Sequence, residues 1–120
     1  MYERAKRGGK FVSQHCCGDI IELFGDLIDI GLDVYQTFQP EIYDVPKVKR
    51  EFGRDLTFWG GISTQRALPF LTPDQIKQVT RDMISTMRPG GGYIAAPTHA
   101  IPGDVPPENI VAMVEAMQAQ

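Results

Sequence analysis

Cysteine is scarce in this 120-residue chain: there are two, and they are neighbours, Cys16 and Cys17. Adjacent thiols cannot staple distant segments of one chain, so a disulfide framework is excluded and stability has to come from a packed core. Long apolar runs are missing as well. No stretch approaches the roughly 18 to 20 apolar positions that a membrane helix needs, and no signal-peptide pattern precedes the first polar residues. The expectation is a cytoplasmic protein with no membrane partner. Positive charge is not in excess, with 12 basic against 15 acidic side chains and a formal charge of -3, so nothing draws the chain toward nucleic acid. The basic residues Arg4, Lys6, Arg7 and Lys10 read as an ordinary solvated face. Phosphate-binding glycine loops are absent too: Cys17-Gly18-Asp19 fits neither G-x-G-x-x-G nor G-x-x-x-x-G-K-[ST], and the run Gly90 to Gly92 precedes an apolar strand pattern instead of opening a helix. No pair of acids at strand ends suggests glycosidase chemistry.

What remains is an ordinary globular composition, 42% hydrophobic and 22% charged. Its pattern is an alternation of strands and helices. Phe11 to Gln14 reads as a first strand, and Asp19 with Glu22 three positions on has the spacing of a helix start whose apolar face is Ile20, Phe24, Leu27 and Ile28. Leu32 to Thr37 reads as a second strand, followed by a helix capped by Asp44 with Pro46 in its first turn. Thr57 to Trp59 is the third strand, and Gly60 and Gly61 after it permit a tight turn or the close approach of a ligand. Thr72, Pro73 and Gln75 form the strongest helix-start signal, with Ile76, Val79, Met83 and Met87 as the expected buried stripe. Tyr93 to Ala96 is the fourth strand, and a last helix after Pro107 carries Ile110, Val114 and Met117 on one face. Strands separated by helices are parallel, because a parallel connection needs the crossover. The fold class expected is therefore α/β, with four βα units in a single domain over residues 1–120. That is about half of a (β/α)₈ barrel, which takes about 250 residues when complete.

Sites on parallel βα proteins lie at the carboxyl ends of the strands, and there the sequence places His15 and Cys17. An imidazole and a thiol two positions apart suit a metal, zinc first, and His99 after the fourth strand is the candidate third ligand. Cys17 is alternatively a nucleophile paired with His15 or His99, helped by the amino end of the helix beginning near Ile20. Gln39, Asp44, Ser63, Thr64, Gln65 and Arg66 share that end of the sheet, and Arg66 is the cation suited to fork onto a substrate carboxylate. Trp59, beside Gly60 and Gly61, is placed to form one wall of a small-molecule pocket.

The strings His15-Cys16-Cys17-Gly18-Asp19-Ile20, Phe58-Trp59-Gly60-Gly61-Ile62, Gly90-Gly91-Gly92-Tyr93-Ile94 and Asp104-Val105-Pro106-Pro107-Glu108-Asn109-Ile110 together resemble the carboxyl-terminal part of the uroporphyrinogen decarboxylase family. That family includes haem-pathway decarboxylases and zinc-dependent methyltransferases that move methyl groups between a corrinoid and a thiol or other acceptor. By this resemblance the fold is the later half of the barrel. His15 and Cys17 match the methyltransferases' zinc motif, which makes the chain look closer to that branch. The further zinc cysteine of those enzymes is replaced by Thr98, so the resemblance implies a zinc site only if His99 substitutes. His99 also matches a histidine that lines the porphyrinogen cleft in the decarboxylases. The arginine and aspartate that hold the tetrapyrrole in that branch lie in the amino-terminal half of the family fold, outside these residues. Three functions follow as expectations: a fragment or reduced homologue of a corrinoid-dependent methyltransferase, a non-catalytic half-barrel module, or a tetrapyrrole-binding relic. Met1 falls within what reads as the tail of a helix, as expected of part of a longer protein. Four strands of an eight-stranded barrel leave open edges and an uncovered inner face, so the expected partner is a second copy in a homodimer or a chain carrying the complementary half.

Overall fold

The structure, a computed structural model, describes residues 1–119. Helix α1 (Tyr2–Arg7) is followed by β1 (Ser13–His15), a 3₁₀ turn (Ile21–Leu23), α2 (Phe24–Asp29), β2 (Val34–Phe38), α3 (Val45–Phe52), β3 (Thr57–Ile62), α4 (Pro73–Met87), β4 (Tyr93–Pro97) and α5 (Pro107–Gln118). The strands form one sheet in the order β1-β2-β3-β4, and every neighbouring pair is parallel. Sequential strand order with a helix after each strand is the topology of a (β/α)₈ barrel wall, here four strands of it. Among the described residues no helix is long and apolar enough to cross a membrane.

Local chemistry accounts for the best-defined helices. The hydroxyl of Thr72 accepts from the backbone N–H of Gln75, and the Gln75 side chain reaches back to the Thr72 backbone N–H, closing the expected capping box. Asp44 caps α3 by accepting from the Lys47 N–H. The expected box at Asp19 does not form. Its carboxylate accepts from the N–H of Ile21 two residues on, and the chain makes a 3₁₀ turn before α2 begins without a side-chain cap. The short reach to the second residue closes a local turn, which competes with the helical start.

The helices cover one face of the sheet. A larger cluster gathers Phe24, Tyr35, Phe38, Tyr43, Val48, Phe58 and Met87, and a smaller one gathers Ile62, Leu68, Ile76, Val105, Ala112 and Met113. Phe24 is the hub of the first, with ring centroids 4.9 Å from Tyr35, 5.3 Å from Phe52 and 5.8 Å from Phe58. Two stripes differ from expectation. In α4 the buried line is Ile76, Thr80, Ile84 and Met87, while Val79 is exposed, because α4 packs on both β3 and α5 and so its inner face is rotated toward the latter. In α5 the buried residues are Asn109, Ala112, Met113 and Ala116, and Val114 faces outward. Small residues and an amide let α5 lie close on the α4 connection, where the Asn109 amide donates to the carbonyls of Leu68 and Leu71.

The glycines after Trp59 belong to β3, which runs three residues further than expected, to Ile62. Gly60 has φ +137°, and a Cβ there would lie 2.9 Å from the Phe38 backbone nitrogen and oxygen, so the bare residue serves the approach of two strands. On the uncovered face, parallel register lines up His15, Gln36, Trp59 and Ile94 across all four strands. Trp59 and Ile94 remain 40% and 43% exposed, the apolar part of an otherwise polar row.

Candidate metal centre

His15 ends β1, Cys17 lies in the turn beyond it, and His99 lies in the loop after β4. The structure brings the three together. One ligand atom from each falls within 4.8 Å of the others, and this is the one such cluster of three metal-ligating side chains among the described residues. The Cys17 Sγ is 3.5 Å from His15 Nε2, and the rings of His15 and His99 meet edge to face with centroids 5.4 Å apart. All three side chains are exposed on the barrel-interior side of the half-sheet.

The imidazole of His15 is oriented by a neighbour on the next strand. Its Nδ1 bonds the side-chain oxygen of Gln36, the residue opposite it on β2. This contact orients the ring and leaves Nε2 facing the Cys17 Sγ. This pairing is the usual second contact of a metal-binding histidine. Gln36 was not foreseen from sequence; the signal was its position in parallel register with a strand-end histidine.

The turn that carries the thiol is held from below. Between Gln36 and Phe38 the β2–β3 register shifts, and Thr37 is buried with its hydroxyl donating to the Cys16 carbonyl at 3.3 Å and toward Cys17 Sγ at 3.7 Å. Tyr35 donates its hydroxyl to the same Cys16 carbonyl at 2.9 Å, and Tyr43 donates to the Gly18 carbonyl at 2.9 Å while accepting from the Ile20 N–H. Burial pushes both phenols above their ordinary range, so they remain neutral donors.

Thr98 is buried, 1% exposed, and its hydroxyl accepts from the Thr64 N–H at 3.2 Å and shares a bond with the Thr64 hydroxyl at 3.0 Å. It ties the end of β4 to the loop after β3, and the next residue, His99, is the one that reaches the cluster. The expected help from a helix amino end to Cys17 does not materialise. The α-helix begins only at Phe24, and a helix dipole is felt within about its first turn.

The remaining candidates sit as follows. Trp59 shares the open face with His15, one strand beyond Gln36. Gln39 is half-buried just after β2, with its carbonyl accepting from the Ile42 N–H. Arg66 is exposed, and its backbone N–H donates to the Ser63 hydroxyl. Gly61 is buried, and a side chain there would collide with the Tyr93 hydroxyl and Met83, so packing alone accounts for its bareness.

The donor set fits zinc. In a tetrahedral site with bonds of about 2.0 to 2.3 Å, neighbouring ligand atoms lie about 3.3 to 3.8 Å apart. The Cys17–His15 separation is already in that range, and the widest separation in the cluster exceeds it by about 1 Å, within the reach of side-chain rotation at an exposed site.

The family model described as uroporphyrinogen decarboxylase matches residues 1–120. Among solved structures, a methyltransferase from Methanosarcina mazei superposes on 98% of this chain with a TM-score of 0.76 and 23% sequence identity. The match takes in 34% of that protein, so the chain spans about one third of its length. At that identity the likeness is one of fold. No curated protein sequence matches the chain.

Proposed function

The chain belongs to the uroporphyrinogen decarboxylase family, and from that premise we propose that its βα units carry the metal-binding wall of a corrinoid-dependent methyltransferase barrel. The observation that carries this reading is the convergence of His15, Cys17 and His99 from two ends of the sheet. Zinc held by these donors would leave a fourth position open and supply the Lewis acidity that turns a bound thiol into a thiolate near neutral pH. The protein's own part is to present the donors. Gln36 orients the His15 ring, Thr37 donates toward the Cys17 sulfur, and His99 takes the place of the third ligand that Thr98 cannot fill. Trp59 offers a flat apolar wall on the same face, and Gln39 and Arg66 lie at the same ends of the strands, where a carboxylate-bearing substrate would be held.

Metal content tests this directly. Protein expressed with supplementary zinc is expected to carry about one zinc per chain by elemental analysis, and Cys17→Ala to lose most of it. Wild-type protein without zinc rules the reading out.

A second reading rests on the open face. With Trp59 and Ile94 exposed, and β1 and β4 each lacking an outer neighbour in the described sheet, the unit is suited to assembly with a second copy or a complementary half-barrel. Sedimentation at micromolar concentration distinguishes a 13.4 kDa monomer from a homodimer.

A further inference from the structure

The two tyrosine hydroxyls beneath the His15-Cys16-Cys17-Gly18 turn are not needed to fill the core, since phenylalanine would fill the same space, yet both point at that turn. Tyr35 comes from β2 and Tyr43 from the loop before α3, so the bonds cross from one βα unit to another. Their oxygens are 3.1 Å apart, and between them they satisfy the carbonyls of Cys16 and Gly18 and the N–H of Ile20. The other bonds at the turn are the Cys16 N–H donating to the Gln36 carbonyl at 2.7 Å, the Thr37 hydroxyl donating to the Cys16 carbonyl and the Ile21 N–H donating to the Asp19 carboxylate. Neither the 3₁₀ turn nor α2 has a side-chain cap, and β1 supplies only three residues of ladder. A three-donor site that loses its turn loses the fixed position of Cys17, and the cost of ordering that turn then falls on ligand binding.

We propose that Tyr35 and Tyr43 form a buried hydroxyl clamp that preorganises the Cys16–Gly18 turn for metal capture. They are positioning residues: their oxygens bond the backbone on either side of Cys17 and are not among the clustered ligand atoms. The metal half of this statement rests on the zinc reading above; the clamp itself does not.

The test uses the full chain as wild type, Tyr43→Phe and Tyr35→Phe, with Ile76→Val as a control that loosens the second core cluster, where Ile76 is fully buried. Amide hydrogen exchange without metal reads the clamp. Exchange at residues 16–20 is expected to speed up about tenfold in Tyr43→Phe, the effect of losing roughly one net hydrogen bond, and to stay at the wild-type rate in Ile76→Val. Cobalt(II) titration, followed by thiolate-to-cobalt and d–d absorption, reads the consequence. Both tyrosine variants are expected to bind cobalt about 10 to 100-fold more weakly with altered d–d bands, while Ile76→Val keeps wild-type affinity and spectrum. Wild-type exchange in both tyrosine variants overturns the clamp. Faster exchange with unchanged cobalt affinity overturns its role in capture. Absence of cobalt binding by the wild type rejects capture along with the zinc reading, and the exchange data still decide on the clamp.

Discussion

The β1–α2 region and the β3–α4 region are both βα units, built by different means. The second has a six-residue strand and a fifteen-residue helix opened by a complete capping box. The first has a three-residue strand, a 3₁₀ turn and a six-residue helix without a side-chain cap. Local sequence is enough to start α4. The β1–α2 unit takes its shape from partners elsewhere in the chain: Tyr35, Thr37 and Tyr43 from below, and Asp33, which accepts from the Val12 N–H at the approach to β1. The difference teaches that the unit bearing two of the three candidate ligands, His15 and Cys17, is the less able of the two to form alone, and its geometry is a property of the sheet.

That contrast can be broken at its hub. Phe24 is the first residue of α2 and packs on the aromatic rings of β2, α3 and β3, so Phe24→Ala is expected to cost about 3–5 kcal/mol in denaturant unfolding and to abolish metal retention with it. A smaller and more selective effect comes from Thr72→Ala. Losing the α4 cap is expected to lower stability by about 1 kcal/mol while cobalt binding stays unchanged, because none of its bonds reaches the cluster.

The smallest effect lies at the outer edge of the first unit. The carboxyl of Asp33 is held below its usual range by its bond to the Lys6 ammonium, aided by the Val12 N–H. Because the folded value is the lower one, the stabilisation is present above the unfolded value of about 3.9 and is lost as pH falls through the folded value. Lys6→Met is therefore expected to be slightly less stable than wild type at pH 7, by less than about 1 kcal/mol for a partly exposed pair. The gap should close in acid below about pH 4 and shrink in high salt. A gap that persists in acid would mean that the Lys6 stem, packed on Gly31, matters more than its charge.

The same contrast explains what was legible in the sequence. The α/β alternation and the caps at Asp44 and Thr72 follow from short-range chemistry, and the structure has them as read. His15, Cys17 and His99 were legible as strand-end residues with metal-binding side chains, and they do converge. Gln36, Tyr35 and Tyr43 were not. On sequence Gln36 and Tyr35 are interior residues of a strand and Tyr43 a loop aromatic; only pairing register and the β2 irregularity show what their polar atoms face. Within the stripes of α4 and α5, Ile76, Met83, Met87, Ile110 and Met117 pack inward as read, and Val79 and Val114 do not, for a related reason. Periodicity identifies a helix, but its inward face depends on what it packs against, and α4 and α5 are most of each other's surroundings.

His15 ends the first strand of the sheet and His99 lies in the loop after the last, across three strand spacings of about 4.8 Å, yet their ring centres are separated by 5.4 Å. The loop beyond β4 and the reach of the two side chains close that gap, and the imidazoles meet edge to face. The cluster therefore works as a caliper across the four strands. A shift of the outer strands or of the loop after β4 moves the caliper's jaws before a single strand is lost.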